Sequence, residues 1–169
     1  MNKGFTLTEV LIVIVLFSIL AVSVLWISAV AIKTWGTALD RTQIRQEAGS
    51  AMARMIRELG QTNSITDAKD NQITFLADLD GNGTDETVSL DTSGSNLVRT
   101  EGAVTTILAS NVQTFGLSYL DVNNTLLNPP GGTSTQTKRD GIRVITVSLT
   151  MDKDDETLTL ASSAYARNQ

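Results

Sequence analysis

Hydrophobic residues fall along this chain in three regimes. Residues 10–32 are 23 consecutive positions without a charge, and the only polar side chains among them are Ser18, Ser23 and Ser28. At about 1.5 Å per helical residue this run covers about 34 Å, enough for a hydrocarbon core of about 30 Å. Apolar residues then recur at Ile44, Ala48, Ala51, Met52, Met55, Ile56 and Leu59. These steps of three and four mark one helix face. Arg41, Arg45, Glu47, Arg54, Arg57 and Glu58 are expected mostly on the other side. No proline interrupts 5–60, and Gly36 and Gly49 each cost about 1 kcal/mol relative to alanine without ending a helix. Gly60 followed by Gln-Thr-Asn-Ser is a C-terminal stop. The pattern predicts a single helix over 5–60 with a membrane half at 10–32 and an amphipathic second half.

The third regime, 61–169, alternates short β-prone runs with turn clusters. Strands are expected at 72–77, 87–90, 96–99, 105–108, 112–120, 142–151 and 157–164, with turns at 70–71, 78–85, 92–95, 101–102 and 152–156. Such spacing leaves no room for the crossover helices of a parallel sheet. The exception is a long loop at 122–141 that holds Asn128-Pro129-Pro130-Gly131-Gly132, and a loop of this length is usually a binding surface or a mobile segment. The expected fold class is α+β: a long N-terminal α-helix packed on an antiparallel β-sheet head domain.

Charge sharpens the division. The chain has 169 residues and a net charge of −5. Residues 1–60 carry 6 basic and 4 acidic groups, and 61–169 carry 7 and 14, so +2 and −7 sum to that total. The near-zero mean hydropathy of +0.04 thus averages two unlike pieces. With 0 His and 0 Cys, the chain has no disulfide, thiolate nucleophile, histidine base or Cys/His zinc site. No Gly-rich phosphate loop is present, and no basic excess attracts nucleic acid. Aromatics at 5% are a poor supply of stacking platforms. A membrane-anchored enzyme or solute-binding domain is therefore the weakest reading, and no catalytic residue is expected. A secretory signal has an apolar core of about 7–15 residues followed by a small-residue cleavage site. The run here is too long, and no convincing site follows it.

The first nine residues, Met-Asn-Lys-Gly-Phe-Thr-Leu-Thr-Glu, run directly into the apolar segment. This resembles the class III leader of type IV pilins and type II secretion pseudopilins. The resemblance implies a 1–4 leader containing Lys3, cleavage after Gly4 by a prepilin peptidase, and N-methylation of Phe5 to give an N-methylphenylalanine terminus. Loss of Lys3 would take the side-chain charge to −6. It also implies that Glu9, the fifth mature residue, pairs with the amine of a neighbouring subunit during assembly. On physical grounds alone, Gly4 lets a protease approach the backbone. Glu9 is a carboxylate at the edge of a membrane helix, costly there unless paired. Glu9 also has the simpler reading of complementing the helix N-terminus. Ser18, Ser23 and Ser28 are either close-packing positions between helices or tolerated lipid-facing serines.

The family implies a single-pass inner membrane protein with its N-terminus in the cytoplasm and its head outside, later part of an extracytoplasmic filament. Charge counting does not give that orientation, because Lys33, Arg41 and Arg45 follow the span. The implied partners are the prepilin peptidase, other pilins or pseudopilins, the inner-membrane assembly platform and the inner membrane. The chain lacks the helix-bending proline and Cys-bracketed loop common in major pilins. Residues 52–61, Met-Ala-Arg-Met-Ile-Arg-Glu-Leu-Gly-Gln, resemble the helix end of PilW-like minor pilins and J-type minor pseudopilins. Asn96-Leu97-Val98-Arg99-Thr100, Ile107-Leu108-Ala109, 111–115 and Ala166-Arg167-Asn168 are loosely similar to the same proteins. The function expected is a minor pilin-like structural subunit of a type IV pilus-like filament, acting in assembly or priming. A minor pseudopilin of a type II protein secretion system is the alternative.

One chemical motif stands apart. Asp78-Leu79-Asp80-Gly81-Asn82-Gly83-Thr84-Asp85-Glu86 fits D-x-D-x-N-G-x-x-E. Calcium takes six to eight oxygen ligands, and side chains at loop positions 1, 3 and 5 converge when glycine sits at position 6. Asp78, Asp80 and Asn82 hold those positions, Thr84 offers its carbonyl and Glu86 a ninth-position carboxylate. Position 12 is Ser89, so the loop is not an EF-hand. Asn82-Gly83 is also a turn signal in its own right, so a solvated hairpin turn explains the same residues. The second acidic run, 152–156, lacks glycine and is expected to be a solvated hairpin tip.

Overall fold

A computed structural model describes residues 6–127, 136–154 and 156–166. The chain divides into two compact units, 1–40 and 41–169. Helix α1, Leu7–Leu59, supplies the described part of the first unit and the opening of the second.

In the first unit, α1 is apolar around its whole circumference. Its large hydrophobic residues from Leu7 to Leu39 are exposed, and the helix is long and apolar enough to cross a membrane. Thr6 starts it. The Thr6 Oγ1 atom accepts the Glu9 N–H at 3.3 Å, which makes Thr6 the N-cap and Glu9 the third helical residue.

The second unit opens on the amphipathic part of α1. Ile44, Ala48, Ala51, Met52, Met55 and Leu59 are buried, and Ile56 packs partly against the same core. The expected stripe is therefore the buried stripe. The helix face meets two antiparallel sheets rather than the single sheet expected. The first sheet is a five-stranded meander: β1 Ser64–Ala68, β2 Ile73–Ala77, β3 Glu86–Ser93, β4 Asn96–Glu101 and β5 Val104–Ala109, in that spatial order. The second has β6 Val112–Leu120, β7 Val144–Lys153 and β8 Glu156–Tyr165, again in chain order. Period-two burial in β2, where Ile73, Phe75 and Ala77 are buried, and in β7 explains why both sheets turn one face to a common core.

Asn111 lies between β5 and β6 with φ of 55°. Its carbonyl accepts the Asp152 N–H at 2.9 Å, and the Val112 N–H donates to Ser95 at 2.8 Å. A link that reads as a hairpin turn thus carries the chain from one sheet to the other. Strand β1 is absent from the expected set. A five-residue helix α2, Gln136–Asp140, lies inside the expected 122–141 loop, and 128–135 of that loop lie outside the described residues.

Candidate functional site

Three groups of residues bear on function. The first is the start of α1. Gly4 and Phe5, the expected cleavage and methylation positions, lie outside the described residues. Glu9 is exposed in the first turn of α1, where its negative charge complements the helix dipole. Its carboxylate has no hydrogen-bond partner among the described residues, and the Thr6 contact uses only its backbone. The Ser18, Ser23 and Ser28 hydroxyls donate to the carbonyls of Ile14, Ile19 and Val24 at 2.7, 2.8 and 2.8 Å. Each serine is satisfied within its own helix, so none needs a neighbour or water.

The second group is the loop between β2 and β3. Asp78, Asp80 and Glu86 each bring a carboxylate oxygen within 4.8 Å of the others. The loop is also held by its own hydrogen bonds. Asp78 Oδ1 accepts from the N–H groups of Gly81 and Asn82 at 2.8 and 3.1 Å, and Oδ2 from Gly83 at 2.9 Å. Asp80 accepts the backbone and side-chain N–H of Asn82, at 3.0 and 2.8 Å. Asn82 Oδ1 accepts the Thr84 N–H at 2.7 Å, and Glu86 accepts the Leu79 N–H at 2.9 Å. Gly81 and Gly83, with φ of 78° and 84°, occupy the left-handed backbone that other residues avoid. Asp85 turns away to accept from Asn63 at 2.6 Å. The arrangement gathers the expected carboxylates, and backbone N–H groups already neutralise part of their charge.

The third group is a buried ion network that the sequence did not suggest. Glu58 and Arg99 are 5% and 4% exposed. Arg99 Nε donates to Glu58 Oε2 at 2.7 Å and its Nη1 to Glu101 at 2.6 Å, while Arg54 Nε donates to the other Glu58 oxygen at 2.9 Å. Burial works against the Arg99 charge, but hydrogen bonds to Glu58 and then Glu101, with their negative charges, outweigh it and hold the guanidinium above its usual value. The sequence reading put Glu58 on the solvent side of α1, and the structure corrects it. The signal was positional: Glu58 sits between Met55 and Leu59 of the stripe, and Arg99 has the strand parity of buried Leu97. A cleft of about 280 Å³ opens over the network, lined by Arg54, Arg57, Gln61, Leu79 and Asp80 beside it.

The second acidic run is also less free than expected. Glu156 is 22% exposed and pairs with Arg41 of α1 at 2.5 Å. That pairing raises the Arg41 pKa, chiefly through the hydrogen bond to Glu156. Lys153 donates to Gln43 at 2.9 Å. This hairpin end is tied to the helix rather than wholly solvated.

The start of α1 is thus an exposed apolar helix, long enough to cross a membrane, with a threonine N-cap and a glutamate in its first turn. The comparison with known families agrees. Residues 1–25 match the prokaryotic N-terminal methylation motif, the class III prepilin leader, which is consistent with the type IV pilin and pseudopilin superfamily. That leader implies processing by prepilin peptidase and assembly with other pilins, and with the apolar helix it is consistent with a membrane-anchored pilin. No curated protein matches the chain.

Proposed function

We propose that this chain is a minor pilin-like structural subunit of a type IV pilus-like filament, working in filament assembly or priming rather than in catalysis. The observation that carries the reading is the methylation motif at 1–25 running straight into an exposed apolar helix. A bilayer covers such a surface before assembly, and neighbouring copies of the same kind of helix cover it afterwards. In this reading the N-terminus is cytoplasmic, the head lies outside, and the inner-membrane assembly platform extracts the subunit. Glu9, with its carboxylate unpaired among the described residues, takes the methylated Phe5 amine of a neighbour as its partner. The minor role rests on the absence of a proline in the span and on the resemblance of 52–61. That segment serves equally for a minor pseudopilin of a type II secretion system. Loss of pili on deletion supports the first reading, and loss of secretion with pili intact supports the second.

Intact-mass analysis of protein from its native host tests the core of the proposal. The expected chain starts at Phe5 and carries one added methyl group, and a mature chain still starting at Met1 overturns it. Calcium at the 78–86 loop is a separate expectation, resting on Asp78, Asp80 and Glu86. Calorimetric titration with calcium, followed by melting, checks it: heat and a raised Tm support the site, and neither retires it.

A further inference from the structure

We propose that the cleft over the Glu58–Arg99 network is a binding site for a carboxylate. It opens between the end of α1, the β2–β3 loop and β4, all within the second unit. Its volume is about 280 Å³. A water's share of liquid volume is about 30 Å³, so a ligand of several heavy atoms fits. Arg54, Arg57 and Arg99 line it, and so do Glu58, Asp80 and Glu101.

The hydrogen-bonding capacity of these six side chains is unequally spent. Both Glu58 oxygens are taken, one by Arg54 and the other by Arg99. Both Asp80 oxygens accept from Asn82, and Glu101 Oε2 accepts from Arg99. Among the described residues, only the second Glu101 oxygen is left without a donor. The cations keep far more in reserve. A guanidinium carries five N–H donors. Arg54 uses only Nε, and Arg99 only Nε and Nη1. Arg57 is exposed, and its side chain has no hydrogen bond or ion pair among the described residues. The cleft therefore offers unspent N–H groups on three cations against one open carboxylate oxygen.

The ligand class follows from that surplus. A planar carboxylate with a single charge matches the fork of a guanidinium and accepts two parallel N–H bonds. A phosphate dianion brings a second negative charge beside Asp80 and Glu101, where like charges repel. Arg54 and Arg99 are already held by Glu58 and Glu101, so little side-chain freedom is lost when the ligand docks. Arg57 supplies the cation that no carboxylate of this chain claims among the described residues. Two sources carry this chemistry, an acidic side chain of another protein and a small free acid, and the titrations below tell them apart.

The test is NMR of the arginine Nε–H groups in full-length chain in detergent, with EDTA present to keep the 78–86 loop free of calcium. Sodium acetate is expected to shift the Arg54 and Arg99 signals saturably, where sodium chloride at equal ionic strength does not. Arg57→Ala is expected to weaken acetate binding about tenfold or more with an unchanged melting curve. Arg45→Ala, exposed on α1 outside this cleft, is expected to leave binding as it is. A blocked peptide bearing a glutamate is then titrated in the same way. A saturable shift with the peptide as well as with acetate assigns the site to a carboxylate presented on a protein, and a shift with acetate alone assigns it to a small free acid. No response to acetate, equal binding by the unsubstituted chain and Arg57→Ala, or tighter binding of inorganic phosphate than of acetate overturns the proposal. These outcomes are independent of leader processing, so they leave the filament reading to its own test.

Discussion

Glu58 and Arg99 show how a single residue can oppose the pattern that surrounds it. The period of α1 placed Glu58 among residues mostly opposite the apolar stripe, whereas the fold buries it against Arg99 on the inner face of β4. Removing one partner leaves the other as an uncompensated buried charge. Arg99→Met is therefore expected to lower unfolding free energy by about 3–5 kcal/mol, and the double variant Glu58→Leu/Arg99→Met to recover much of it. Urea denaturation of the unsubstituted chain and the two variants measures both. Tyr119 makes a second case. It is fully buried, its hydroxyl donates to the Lys69 carbonyl at 2.7 Å, and burial first, then the Asp70 charge, push its pKa well above the usual phenol range. The folded state thus holds the proton more tightly than the unfolded chain does. Its stabilising contribution is complete below the unfolded value of about 10 and is lost as pH rises above it. The denaturation midpoint is expected to fall above that pH, with a shallower fall in Tyr119→Phe. The Asp78 carboxylate accepts three backbone N–H bonds, so Asp78→Ala is expected to cost about 1–3 kcal/mol with or without calcium.

The helix and most strands were legible because each has one dominant period. The α1 stripe reads at 3.6 residues, and Met55 and Leu59 are fully buried where that period puts them. Met55→Ala is expected to destabilise by about 2–5 kcal/mol in thermal or urea unfolding, and exposed Arg57→Ala to stay within about 0.5 kcal/mol. β1 escaped because its signal is short and broken. Ser64-Ile65-Thr66-Asp67-Ala68 has two buried apolar residues, Ile65 and Ala68, on opposite parities, and the bulge between Ile65 and Asp67 accounts for the slip. The division into two sheets escaped for a different reason. Alternation says which face of a strand is buried, not which strand lies beside it, and Ser110-Asn111 looks like any tight turn. The serines in the span show the limit from the other side. Sequence left their role open, and the i−4 hydrogen bonds show that each hydroxyl is satisfied without a neighbour. Replacing all three by alanine is expected to leave membrane insertion unchanged, as read by carbonate extraction.

At the scale of the whole molecule, the charge asymmetry and the core agree on one division. Among the described residues, every member of the hydrophobic core cluster falls between Ile44 and Ala164, within the second unit, while the apolar window of the first unit is unburied. A unit that owns its entire core has what it needs to fold alone. A fragment from Arg41 onward is therefore expected to be soluble without detergent and to unfold in one cooperative transition. Where the cut falls matters, because α1 enters the second unit several turns before the sheets begin. Ile44 and Ala48 are 2% and 1% exposed, the Glu47 carboxylate accepts the Ser110 N–H, and Arg41 pairs with Glu156. A fragment that starts at Gly49 loses all four residues and opens the core beneath Ile44. Its unfolding free energy is expected to fall by at least about 3 kcal/mol relative to the Arg41 fragment, as loss of a buried large aliphatic side chain alone costs about 2–5 kcal/mol. Equal stability of the two fragments by urea denaturation would show that the sheets alone hold the head. In that case the residues from Arg41 to Ala48 would be part of the anchor, and the composition break after residue 60 would be the better boundary.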